Sequence, residues 1–127
     1  MSRDSEMTSE ELARQLAAIA DEKKATELVA LDVRGLVSYT DYLVICTARN
    51  ERQAKAIHDE VYLQLKRDGW LPARVEGVRE AEWVLMDYLD AVLHVFTPEL
   101  RERYRLEVLW GEANRLELDL AGARGAA

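Results

Sequence analysis

Tyr42-Leu43-Val44-Ile45-Cys46-Thr47 is a six-residue run with almost no polar relief. A strand with one solvated face alternates apolar and polar side chains, so a continuous apolar run predicts a strand covered on both faces, central in its sheet. Upstream, Leu28 to Val33 reads as a second strand. The connector Arg34 to Asp41 is too short for a helical crossover, which makes these two strands antiparallel. Downstream, Asn50 is placed to cap a helix, with Gln53 three residues on. Ala54, Ile57, Val61 and Leu65 repeat at helical spacing as far as Gly69, a C-terminal stop. That helix is long enough to return the chain to a parallel strand near Ala73 to Glu76.

The rest of the chain extends the pattern in both directions. Thr8 and Glu11 form a capping-box pair, and Leu12, Leu16 and Ile19, with Ala13, Ala17 and Ala20, put one apolar stripe on a helix running to about Lys24. Two lysines there suit the negative end of the helix dipole. Trp83 to Tyr88 and Ala91 to Phe96 are separated by Leu89 and Asp90 alone, which predicts a hairpin. Thr97-Pro98 opens a last helix, with Leu100, Tyr104, Leu106, Leu109 and Trp110 as its apolar contacts. These do not share one stripe, so a break falls near Tyr104 to Leu106. The expected fold class is α/β (α+β): a mixed sheet of about five strands with helices packed on it. Residues 1–7 are expected to be flexible, 8–114 to form one domain, and 115–127 to be a frayed tail.

Composition narrows the function classes. The chain has 127 residues, enough for one domain that buries roughly two thirds of its unfolded surface. It carries 24 acidic and 17 basic side chains, a net charge of −7, with 49% hydrophobic and 32% charged residues. Such a chain lacks the positive field that dominates nucleic-acid affinity, so little direct nucleic-acid binding is expected and a basic protein is the easier partner. Cys46 is alone, which excludes an internal disulfide and a CxxC motif, and its apolar run predicts a buried, unreactive thiol. No segment is apolar enough to span a membrane, and the polar N-terminus lacks a secretory core. A cytoplasmic location is expected.

Catalytic signals are sparse. Asp87 and Asp90 form an acidic pair, but a spacing of three across a tight turn is poor for one metal, and acids in turns have local uses. His94, inside Val92-Leu93-His94-Val95-Phe96, reads first as a packed, hydrogen-bonded histidine, then as a partner contact or general base. His58 is expected at the surface. Gly35 and Gly77 are isolated, so no phosphate-cradling loop is present. No cofactor, metal ligand set or catalytic residue is expected. The richer feature is Glu76 to Asp90, where Glu76, Glu80, Glu82, Asp87 and Asp90 face one base, Arg79. This net −4 segment embeds Trp83 and Tyr88, and charged rims around aromatic anchors are common in protein-binding surfaces. The plainer alternative is a solvated edge with Trp83 in the core.

Ala30-Leu31-Asp32-Val33, Thr40-Asp41-Tyr42 and Val44-Ile45-Cys46-Thr47 followed by Arg52 resemble the first half of the ribosomal silencing factor (Iojap) family. Val75-Glu76-Gly77, Glu82-Trp83-Val84-Leu85-Met86-Asp87, Asp90 with Val92-Leu93-His94-Val95, and Arg101 with Tyr104, Leu106-Glu107 and Leu109-Trp110 follow the second half in order and spacing. The resemblance covers about residues 8 to 114. Ala48 and Leu89 depart from it, standing where the family usually has Gly, and Leu89 disfavours a turn that needs a positive φ.

The resemblance implies a nucleotidyltransferase-like fold that is not used as an enzyme. It further implies binding to the large ribosomal subunit through ribosomal protein fourteen, a basic protein on the inter-subunit face. Joining of the small subunit is thereby blocked and translation repressed, with a role in large-subunit maturation and a tendency to homodimers. A body of this length has a radius of gyration of about 14 Å, enough to obstruct a bridge sterically. On this reading Glu76, Trp83, Asp87, Tyr88 and Asp90 form the partner contact, with Asp41 local in role and His94 left open. The rivals are a small nucleotidyl-transferring enzyme, which lacks its Gly-Ser motif and paired aspartates here, and a dimeric adaptor with a non-ribosomal partner.

Overall fold

The computed structural model describes residues 7–120. Helix α1 (Ser9–Glu22) begins at a reciprocal capping box between Thr8 and Glu11, as the pattern predicts, and buries Leu12, Leu16 and Ile19 with their alanine neighbours. Strands β1 (Thr26–Asp32) and β2 (Tyr42–Thr47) pair antiparallel, and β2 is buried at every position. Helix α2 (Glu51–Arg67) starts at Asn50, whose side chain accepts from the Gln53 amide at 2.9 Å. Strands β3 (Arg74–Glu76), β4 (Trp83–Asp87) and β5 (Ala91–Phe96) follow. Helix α3 (Pro98–Tyr104) is separated from the four-residue α4 (Leu106–Leu109) by Arg105 at φ +42°, the break that the split apolar pattern predicts.

The sheet order is β3-β4-β5-β2-β1-β6, with β2 and β5 parallel at its centre. Three expectations need correction. The sheet has six strands, not about five, because β6 (Asn114–Arg115) pairs antiparallel with β1. The segment read as a frayed tail from 115 therefore begins inside a strand. Leu116, Leu118 and Leu120 pack on the core, and Arg14 Nη1 donates to the Glu117 carbonyl at 2.7 Å. Residues 121–127, like the expected flexible residues 1–6, lie outside the described part. The strand after α2 does run in the same sense as β2, but it is not beside it. The chain crosses over β5 and β4 to the edge, where β3 bonds antiparallel to β4 alone.

Strand alternation sorts the side chains into two layers. Val44, Cys46, Val84, Met86, Leu93 and Val95 face α1 and α2. Leu31, Leu43, Ile45, Val92 and Phe96 face the other way, where Leu100, Leu106 and Trp110 give a lighter cover. Leu109 and Tyr104, expected as core contacts, are instead 67% and 44% exposed. Full burial of the Cys46 thiol pushes its pKa up to about 12, leaving it inert.

The hairpin forms despite Leu89, which adopts φ +73°. Tyr88 N donates to Ala91 O at 3.0 Å, Asp90 N to Tyr88 O at 2.9 Å, and the Leu89 amide to Asp87 Oδ1 at 2.8 Å. These bonds hold a conformation that costs a branched residue roughly 1–2 kcal/mol. Gly77 sits at φ +83°, and a Cβ there would lie 2.0 Å from the Trp83 carbonyl oxygen. Two opposite outcomes are expected in urea unfolding. Leu89→Gly should stabilise by about 0.5–1 kcal/mol, relief of strain exceeding the added chain entropy. Gly77→Ala should destabilise by about 2 kcal/mol or more, because backbone must shift.

Candidate functional site

The lighter-covered face of the sheet ends at a corner built by β3, β4 and β5. Alternation puts Arg74 and Glu76 of β3, and Trp83, Leu85 and Asp87 of β4, on this face. Trp83 is wedged among rings: Phe96 lies 4.9 Å away, Tyr104 4.7 Å and His94 6.0 Å, centroid to centroid. Its indole N–H donates to His94 Nδ1 at 3.0 Å. An indole nitrogen only donates, so Nδ1 accepts and the imidazole proton sits on Nε2. Burial pushes the His94 pKa down to about 4, with Asp87 acting weakly in the opposite direction. At neutral pH this imidazole is uncharged.

The structure brings together three of the five residues expected to form the contact. Glu76, Trp83 and Asp87 share the face, and Asp90 lies exposed in the hairpin turn at its rim, its carbonyl accepting from the Asp41 and Tyr42 amides. Tyr88 does not join them. It projects to the opposite face, is 3% exposed, and its buried hydroxyl has no hydrogen-bond partner among the described residues. Burial raises its phenol pKa. The parity was available in the sequence, since Tyr88 lies five positions after Trp83 and an odd offset along a strand reverses the face.

The sequence reading missed Arg74, two residues before the acidic segment and on the same face as Glu76. The pairing Arg74↔Asp87 places its guanidinium 3.1 Å from Glu76 and 3.8 Å from Asp87. Arg74 and Glu76 are exposed and Asp87 is partly buried, so these contacts add little stability, but they set the carboxylates beside Leu85. Arg101 was also missed as an organiser. Buried, it donates from Nη1 to Thr47 Oγ1 at 2.8 Å and from Nε to Glu107 at 3.2 Å, tying α3 and α4 to the end of β2. Among the described residues no three His, Cys, Asp or Glu side chains are grouped to hold a metal. The corner offers an apolar, aromatic floor whose rim carries carboxylates and the Arg74 guanidinium between two of them.

Residues 6–126 match the family described as ribosomal silencing factor during starvation. The ribosomal silencing factor of Bacillus subtilis is 38% identical over 113 residues, covering 89% of this chain and 96% of that one. A mouse protein named for mitochondrial assembly of the ribosomal large subunit is 31% identical over 98 residues, 75% of this chain and 43% of its own length. A crystal structure of a Chromobacterium violaceum protein superposes with a TM-score of 0.80 at 29% identity, covering 95% of this chain and all of that one.

The His94 shift fixes the sign of a pH effect. Its pKa is about 4 when folded against an ordinary value of 6.5, so between those values only the unfolded chain takes up the proton. Stability from this group is complete above about pH 6.5 and is lost as pH falls towards 4, by up to about 3 kcal/mol. Urea unfolding at pH 7 and pH 4.5 should show that loss in the parent, and a smaller one in His94→Gln, which keeps an acceptor for Trp83. An NMR titration midpoint for His94 near 6.5 would contradict it.

Proposed function

The chain belongs to the ribosomal silencing factor family, and we propose that it represses translation by seating the β3–β4–β5 corner on the large ribosomal subunit and blocking the small subunit. The family is one of regulators, so the corner needs binding energy and no turnover. The observation that carries the reading is the corner itself: Trp83 and Leu85 form an apolar floor, with Glu76, Asp87 and Asp90 around it. The partner that fits is basic, and ribosomal protein fourteen on the inter-subunit face is the proposed one. Carboxylates steer and orient such an encounter, while the half-buried aromatic floor supplies the contact that excludes water.

Residues 8–114 act as the ribosome-binding unit in this proposal, working in the cytoplasm and associating as a homodimer. No helix among the described residues is long and apolar enough to cross a membrane. Likeness to a large-subunit assembly protein supports a second use of the same contact, in maturation of that subunit.

Light scattering of mixed ribosomal subunits tests the steric block: the protein should slow and reduce joining when added to large subunits first. Unchanged joining at saturating protein would defeat it. The corner is tested through Glu76 and Asp90, because Asp87 holds the Leu89 amide and its reversal would disturb the turn. Glu76→Lys with Asp90→Lys should weaken co-sedimentation with large subunits roughly tenfold and leave the melting temperature within a few degrees. Equal binding by the double variant would remove these carboxylates from the contact.

A further inference from the structure

A second charged site lies at the other end of the central strand and has the opposite sign. The C-terminal end of α1 and the N-terminal end of α2 enclose an open cavity of about 480 Å³. Lys23, Lys24, Arg49 and Arg52 line it, against one carboxylate, Glu22, so its wall is net +3 in a chain of net −7. We propose that this cavity binds the phosphodiester backbone of RNA.

The cations are held together by the fold. Gln53 is 8% exposed, and its Nε2 donates to the carbonyls of Lys23 at 3.0 Å and Lys24 at 3.2 Å, while its Oε1 accepts from the Arg49 amide at 2.5 Å. One buried amide thus fixes the backbone of three of the four basic residues. Glu22 is engaged by Gln64 Nε2 at 3.1 Å. The positive end of the α2 dipole adds to the field, opposed by Glu51 in its first turn. Arginine forks and lysine ammonium groups match phosphate oxygens at short range. No aromatic ring lines the cavity, so nothing stacks on a base and the site reads backbone charge, not sequence.

Position makes the site useful. Tyr42, at the start of β2, is bonded to Asp90, and Thr47, at its end, leads directly to Arg49. A six-residue strand separates those ends by about 16 Å. The acidic turn and the basic cavity can therefore touch one particle at two places, protein and RNA. This inference rests on the proposed ribosomal seat, and it revises the expectation of little nucleic-acid contact, which came from net charge alone.

The test uses the full chain and Arg49→Ala with Arg52→Ala, both exposed positions, alongside a lysine-for-arginine pair that keeps the charge. Fluorescence anisotropy with a labelled RNA hairpin should show binding by the parent that weakens with salt. The alanine pair should bind roughly tenfold more weakly, its log–log salt slope smaller by about 1.8 for two lost phosphate contacts, and the lysine pair should stay close to the parent. The same loss should appear with large subunits, while binding to isolated ribosomal protein fourteen is unchanged. Equal RNA affinity and slope in parent and alanine pair overturns the cavity as an RNA site, as does equal competition by poly-glutamate, which would assign it to an acidic protein. Failure of the parent to bind large subunits would defeat the ribosomal reading instead, and the RNA arm would still decide the cavity.

Discussion

The parallel pairing of β2 with β5 is the constraint on which the rest of the molecule depends. The two strands match residue for residue from Tyr42 opposite Ala91 to Thr47 opposite Phe96, and every position of both is buried. A parallel pair cannot be closed by a short turn and is stable only with both faces covered. The first demand sends the chain through α2 and out to the β3–β4 edge before β5 returns. The second demand is met unequally, by two long helices on one face and by the short, broken α3–α4 segment on the other. The candidate corner lies where that second cover ends.

Elements specified by local chemistry were legible. The Thr8–Glu11 capping box, the Asn50 cap, the Pro98 start and the heptad-like burial of α2 each depend on residues within one or two turns, so sequence spacing contains them. Strand neighbours depend on contacts far apart in the chain, and there the reading thinned. Nothing in Asn114-Arg115 marks a strand, because β6 is held by the edge of β1 and by the leucines that follow it, not by its own side chains. The position of β3 was hidden for the same reason. Leu89 shows tertiary bonding overriding preference: three hydrogen bonds around the turn outweigh its conformational strain.

The site was half legible. Charge density singled out the segment from Glu76 to Asp90, but a count along the chain ignores which way side chains project. It therefore grouped Tyr88 with Trp83 although they lie on opposite faces, and it left out Arg74, which only strand register brings to Asp87. The basic cavity was less visible still. Lys23 and Lys24 are separated from Arg49 and Arg52 by two whole strands, and each pair alone reads as ordinary helix-end chemistry. Net charge conceals such a site because an average of −7 is compatible with a local excess of the other sign.

The Trp83–His94 bond connects packing to the sign of the corner. A protonated imidazole beneath the indole would place a positive charge among Glu76, Asp87 and Asp90 and oppose a basic partner. Burial among Trp83, Phe96 and their neighbours prevents this by holding the ring neutral, and the indole proton selects the tautomer. Trp83 thereby uses its only donor internally and meets a partner with its ring alone. The corner stays acidic and apolar, while Lys23, Lys24, Arg49 and Arg52 cluster at the far end of β2. On the proposed reading, separating the two signs along one strand would let a small acidic domain address a protein and a polyanion without either contact neutralising the other.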